Sequence, residues 1–209
     1  VESGVYKATP LGRLNVSEGM ATPLAQAEYE RFYETLTGDR SGRTPVHSTL
    51  ATHWARVVEL VYACEAALEK AKDEEITSDH ILDPPTGIVG EGVGIVEAPR
   101  GTLTHHYKTD KNGIVTEANL IVGTTNNNAP ITMSIKRAAE GLIKKGVTVT
   151  DGMLNRIEMA FRAYDPCFGC ATHSLPGQMP LELVVRNEAG EATHHLSQYV
   201  APELLEKLD

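Results

Sequence analysis

The stretch "DPCFGCATH", residues 165–173, decides how this chain is read. It places two of the three cysteines in the chain as a Cys167-x-x-Cys170 pair, with His173 three residues beyond the second sulfur. Thiolates are ligands for soft and borderline metals, and two of them separated by two residues can face one ion. A structural zinc needs four ligands. The third cysteine, Cys64, lies in a long helical pattern beside Ala63 and Ala66 and reads as core, so zinc would draw on histidines or a partner chain. A thioredoxin-type pair follows a strand, whereas this one follows a helical pattern. A c-type haem needs His directly after the second Cys, and here Ala171 and Thr172 intervene. On these residues alone, metal binding, redox chemistry and an inert pair all remain open.

Working outward, "TDGMLNRIEMAFRAYD" leads into the motif as an amphipathic helix, so the cysteines are expected just past a helix end. Upstream, "NNNAPITMSIKRAAEGLIKKG" predicts a helix starting near Asn128 and Pro130 and stopping at Gly146. Before it, "GVGIVEAPRGTLTHHYKTDKNGIVTEANLIVGTT" reads as three strands of a small antiparallel sheet, with "DKNG" as a hairpin turn. "TPLAQAEYERFYETLTG" predicts a helix capped by Thr22, with Pro23 at its first position and Gly38 at its end. The longest helix is expected in "HSTLATHWARVVELVYACEAALEKAKDEE", with Leu50, Trp54, Val57, Val58, Val61 and Leu68 as its apolar stripe. Trp54 and Tyr62 read as core. Downstream, "MPLELVVRNEAGEATHHLSQYV" predicts a hairpin turning at "NEAG", followed by a helical turn in "PELLEKLD". The fold class is therefore α+β and helix-dominated, with long packed helices and small antiparallel β hairpins.

The composition bounds the function. With 209 residues the chain can bury a real core, and 41% hydrophobic with 22% charged residues is ordinary for a globular protein. A net charge of -9 with no basic stripe argues against nucleic acid as a partner. No apolar run approaches the ~20 residues of a membrane span, the start is no signal peptide, and the cysteine usage fits a reducing compartment, so a cytoplasmic location is expected.

The flanks of the cysteine pair carry a family resemblance. "DPCFGCATH" resembles the C-terminal signature of the large subunit of nickel-iron hydrogenases, Asp-Pro-Cys-x-x-Cys-x-x-His. "EAPRG" at Glu97–Gly101 is similar to a second signature and "GTTNN" at Gly123–Asn127 to a third, all in the family's order. The text from "PLGRLNV" through "HWARVVELVYACE" resembles the family as well, most of all its cytosolic group with the methanogen enzymes linked to heterodisulfide reductase or deazaflavin. The resemblance implies a hydrogenase large-subunit-like fold over residues 1–173. It also implies that residues 174–209 are a C-terminal extension, either a tail of the kind that a maturation protease removes in the family or a folded extension that this branch retains.

Site residues follow from the resemblance. In the family four cysteine thiolates hold nickel, and two of them bridge to an iron carrying carbon monoxide and cyanide. Cys167 would be a terminal nickel ligand and first proton acceptor, Cys170 a bridging ligand, and His173 a magnesium ligand. Arg100 corresponds to the arginine held over the open metal position; on the residues alone it is a surface strand arginine. Pro99 would help form an apolar wall around the diatomic ligands, and Thr124 and Thr125 correspond to hydroxyl residues that bond a cyanide. Asp165 would pair with a nearby guanidinium, with Pro166 fixing the backbone before the first sulfur. Asn126 stands where the family usually has Trp. His105 and His106, adjacent in one strand, point to opposite faces and cannot share a site; they and the remaining histidines receive no role.

The family's other cysteine pair, in an Arg-x-Cys-Gly-x-Cys context, has no match here, nor do the glutamates that begin proton transfer. The expectation is a C-terminal part of a large subunit that completes its centre with thiolates from an N-terminal half. Electrons from dihydrogen would leave through iron-sulfur clusters of a small subunit. The alternative is a non-catalytic zinc-binding or metal-free scaffold subunit of a redox complex, and a third reading is a dithiol oxidoreductase with a reversible disulfide.

Overall fold

The computed structural model describes residues 4–144, 146–172 and 182–197. It falls into two compact units, residues 1–166 and 167–209.

In the first unit the core is built by three helices, α1 (Pro10–Val16), α2 (Pro23–Thr37) and α3 (Ala51–Lys70). Short α1 opens with Thr9, whose hydroxyl accepts the Gly12 amide at 3.2 Å, and with Pro10 pre-set for helix. Its Leu11 and Leu14 pack with Tyr29, Phe32 and Tyr33 of α2 and Ala51, Ala55 and Val58 of α3. Phe32 meets Tyr33 edge-on at 5.0 Å and the partly buried Trp54 at 5.5 Å.

Two expectations about these helices hold only in part. Thr22 is the N-cap of α2, but its side chain does not cap the helix: its hydroxyl donates to Glu65 of α3 at 2.6 Å. The Glu65 carboxylate instead accepts the Ala25 and Leu24 amides at 3.0 and 3.1 Å, because an anion is a stronger acceptor than a hydroxyl at a helix start. The Thr22 hydroxyl and these two amides hold the Glu65 pKa below the usual 4.5, against a smaller opposing effect of desolvation. The expected apolar stripe of α3 is only in part its buried face: Val58 is buried and Trp54 packs against the core. The small residues Ala51, Thr52 and Ala55 face the core with Val58, letting the helices approach closely, while Leu50, Val57, Leu60 and Leu68 are exposed. Cys64 and Tyr62 lie on that outer side and are exposed, not core.

After a 3-10 turn at Glu74–Thr77, the chain forms an antiparallel sheet of β1 (Glu91–Ala98), β2 (Gly101–Thr109) and β3 (Val115–Ile121), in that order. The "DKNG" turn forms as predicted: Asp110 Oδ1 accepts the Asn112 and Ile114 amides at 2.8 and 3.0 Å, and Gly113 takes φ 82°. Strand β1 is exposed along both faces up to Glu97. His105 bonds Tyr107 Oη at 2.9 Å and His106 bonds Glu91 at 2.7 Å, on opposite faces as expected.

A single helical turn, α4 (Gly123–Asn126), then leads into α5 (Asn128–Leu142) and α6 (Asp151–Arg162). Helix α5 stops at Leu142, short of the expected Gly146, because Ile143 already takes an extended conformation; Gly146 turns the connecting segment with φ 80°. The end of α6 is fixed by buried Tyr164, whose hydroxyl bonds Ser134 at 2.9 Å, and by Arg56, which donates to the Ala163 carbonyl at 2.9 Å.

The second unit contains α7 (Phe168–Thr172) and the predicted hairpin, β4 (Glu182–Arg186) with β5 (Ala192–Ser197), turning at Asn187–Gly190. The helical turn expected in "PELLEKLD" lies outside the described residues. No described helix is long and apolar enough to cross a membrane.

Candidate active site

Arg100 sits in the tightest turn of the sheet. Strand pairing closes at Ala98 with Gly101, leaving Pro99 and Arg100 as a two-residue loop. Gly101 has φ 142°, and a Cβ there would stand 2.0 Å from the Ala8 carbonyl oxygen, so a side chain is barred by conformation and by space. Pro99 contributes no amide to the turn. Gly123 of α4 lies against the Arg100 backbone, where a Cβ would come within 3.1 Å of it.

The turn is tied down by donors from elsewhere in the first unit. Arg13 of α1 donates to the Ala98 carbonyl at 2.8 Å and to the Pro99 carbonyl at 3.1 Å. The same guanidinium bonds both carboxylate oxygens of Glu59, at 2.7 and 2.6 Å, and reaches Glu97 at 3.2 Å. Burial disfavours the charged Arg13, but the bonds and charges of Glu59 and then Glu97 outweigh it and raise its pKa. Fully buried Asn127 accepts the Ala8 amide at 2.9 Å and donates to the carbonyls of Ala8 at 3.0 Å, Gly123 at 3.1 Å and, at a long 3.4 Å, Arg100. Asn126 donates to the Thr102 carbonyl at 2.8 Å.

Arg100 Nε donates to Asp165 Oδ2 at 3.0 Å, with both side chains about half exposed. This brings together two residues singled out from distant motifs, and the guanidinium partner anticipated for Asp165 is Arg100. Asp165 has φ 50°, a left-handed conformation that Asp and Asn tolerate better than other side chains. It therefore turns the chain out of α6 and into Pro166 while presenting its carboxylate. Thr124 is buried in α4, while Thr125 and Pro99 are exposed. His173 lies outside the described residues.

In the second unit Cys167 and Cys170 are joined as a disulfide, with Cα atoms 5.3 Å apart. This differs from the expected pair of free thiolates: the separation is within the range of about 4.4–6.8 Å that a disulfide spans, and this is the oxidised form of the pair. The donor set nevertheless fits a metal after reduction. The two sulfurs are close enough to face one ion, and the Cys170 amide donates to Cys167 Sγ at 3.3 Å. Among the described residues no group of three or more His, Cys, Asp or Glu side chains could hold a metal, so the pair would need further ligands.

The sequence reading missed Arg13, Glu59 and Asn127. Arg13 gave a signal, a lone arginine between Leu11 and Leu14; Asn127 stood inside a quoted signature with nothing to separate it from its neighbours.

A profile of the family described as nickel-dependent hydrogenase matches residues 5–173. An F420-non-reducing hydrogenase iron-sulfur subunit of Archaeoglobus profundus is 49% identical over 189 residues, 90% of this chain and 38% of that protein. The NAD-reducing hydrogenase HoxS subunit beta of Cupriavidus necator is 46% identical, again over 90% of this chain and 38% of the relative. Among solved structures, a NAD+-reducing [NiFe]-hydrogenase in the H2-reduced state superposes with a TM-score of 0.73 at 38% identity, covering 82% of this chain and 37% of that one. The chain thus spans well under half the length of the proteins it matches.

Proposed function

This chain belongs to the nickel-dependent hydrogenase family, and on that premise we propose that it is part of the catalytic large subunit of a hydrogenase that splits or forms dihydrogen. The observation that carries this reading is the match over residues 5–173, which takes in the Arg100 turn and ends on the last residue of the Cys167 motif. The Arg100–Asp165 ion pair supports it from the geometry.

In this proposal the reduced Cys167 and Cys170 thiolates hold a nickel-iron centre whose iron carries carbon monoxide and cyanide, with His173 serving a magnesium ion. The remaining thiolates come from outside residues 1–209. When bound, that centre supplies the redox chemistry for heterolytic cleavage. The chain's own residues do the rest. Cys167 Sγ would accept the first proton released from dihydrogen, while the second proton and the two electrons would leave through groups outside residues 1–209, the electrons to iron-sulfur clusters of a partner chain. Arg100, permanently charged, stabilises negative charge developing beside it, and Asp165 fixes the direction of its guanidinium. Thr124 and Thr125 contribute hydroxyls for a cyanide, and Pro99 an apolar surface. The acceptor could be reached through a heterodisulfide-reductase or deazaflavin-reducing subunit; the Cupriavidus necator relative is named as NAD-reducing.

The disulfide is the one observation favouring a different reading, a dithiol oxidoreductase. Metal analysis of the native complex, with infrared spectra for bound cyanide and carbon monoxide, tests both. Nickel and iron together with those bands are expected. Zinc alone would favour a scaffold subunit, and a titratable disulfide without either metal would favour dithiol chemistry; each result overturns the proposal.

A further inference from the structure

We infer that Arg13 and Asn127 are positioning residues that set the aim of Arg100 by gripping the backbone of its turn, an inference that rests on the reading of Arg100 given above. The carbonyls of Ala98 and Pro99 receive Arg13 Nη1 at 2.8 Å and Nη2 at 3.1 Å, and the Arg100 carbonyl shares, at a long 3.4 Å, the Asn127 Nδ2 group that also serves Ala8 at 3.0 Å and Gly123 at 3.1 Å. A two-residue loop containing proline has few backbone donors of its own, so its orientation depends on such outside contacts. Asp165 holds the guanidinium end of the half-exposed Arg100 side chain, and the turn backbone sets the point from which that side chain departs.

Both grips are anchored on rigid parts of the first unit. Arg13 is held by the two-pronged contact to Glu59, which stands on the 20-residue helix α3. A planar fork is what allows one side chain to bond Glu59 and two carbonyls at once, and lysine cannot reproduce it. Glu59 and Glu97 offset the Arg13 charge, so Arg13 does not act as a second cation competing with Arg100. Asn127 is fully buried and fixed by both the amide and the carbonyl of Ala8. Neither residue touches Asp165 in any described contact, so both act on Arg100 through its main chain.

The test is Arg13→Lys in the assembled complex, with Arg13→Ala beside it. Turnover per nickel is expected to fall by about 10- to 100-fold, the scale of a misplacement of an ångström or less, with nickel and iron content and the KM for dihydrogen unchanged. Hydrogen exchange across residues 97–103 should rise while the Asp110 turn keeps its protection. A merely structural role would lower thermal stability without changing turnover per nickel, and that result overturns the inference. If Arg13→Ala fails to assemble, Arg13→Lys decides; if neither assembles, exchange on the full-length chain decides, and unchanged protection at 97–103 refutes the grip. A wild-type complex with no dihydrogen activity would sink the reading of Arg100, whereas the exchange result reports on the grip independently.

Discussion

Replacing Asp165 by Asn should separate the chemistry of the site from the stability of the fold. The residue has φ 50°, which Asn also tolerates, so the backbone path into Pro166 survives, whereas Ala would add about 1 kcal/mol of left-handed strain. The lost interaction is one ion pair at 3.0 Å between side chains that are each about half exposed. Solvent screening limits such a pair to roughly 0–1 kcal/mol, which for a chain of this size shifts the melting temperature by no more than about 4 °C. Activity depends on direction, not on that small energy. A guanidinium free to swing should cost about 10- to 100-fold in turnover, and Arg100→Lys, which removes the planar donor itself, about 10²- to 10³-fold. The assay is dihydrogen-dependent dye reduction normalised to nickel, run beside thermal unfolding of the same preparations. Turnover of Arg100→Lys within about threefold of wild type at full nickel content would refute the reasoning, since a group that stabilises developing charge cannot be so dispensable.

Further outcomes are specific to other parts of the structure. Cys170→Ser should abolish nickel incorporation while Cys64→Ser leaves it intact, as metal analysis would show, because Cys64 is exposed on α3 and apart from the pair in sequence. Glu65→Gln should lower the melting temperature at neutral pH, with the gap to wild type closing as pH falls below 4.5. The sign follows from the depressed carboxyl pKa: its contribution is complete above the unfolded value and vanishes as pH drops through the folded one. Phe32→Ala should cost about 3–5 kcal/mol in denaturant unfolding, since the ring is fully buried between two aromatic neighbours. Tyr33→Phe should cost only about 1 kcal/mol, the worth of its part-buried bond to Asn15 at 2.9 Å.

Local chemistry made much of this fold legible. Pro23 and Gly38 bound α2 because one pre-sets a helical φ and the other accepts a left-handed one, and "DKNG" and "NEAG" announce hairpins for similar reasons. The partners of Arg100 were half legible: a carboxylate beside Pro166 asks for a cation, but nothing local says which. What stayed hidden depends on tertiary packing. Periodicity located α3 and its buried Val58 but misjudged the rest of the core face, because Ala51, Thr52 and Ala55 carry too little apolar weight to reveal that small side chains face the core. A cap supplied from another helix, as Glu65 supplies α2, leaves no trace beside the helix it caps. Asn127 was equally silent, since its four hydrogen bonds go to three residues in three separate segments, Ala8, Arg100 and Gly123.

The bare first strand has a practical consequence. Strand β1 presents Val93, Ile95 and Val96 to solvent and, among the described residues, borders the sheet with one side unpaired; Leu60 and Leu68 of α3 are exposed as well. Such an edge recruits other copies of itself. Recombinant chain made alone should therefore sediment into inclusion bodies or soluble multimers, and yields of monodisperse material should depend on which polypeptides are expressed beside it.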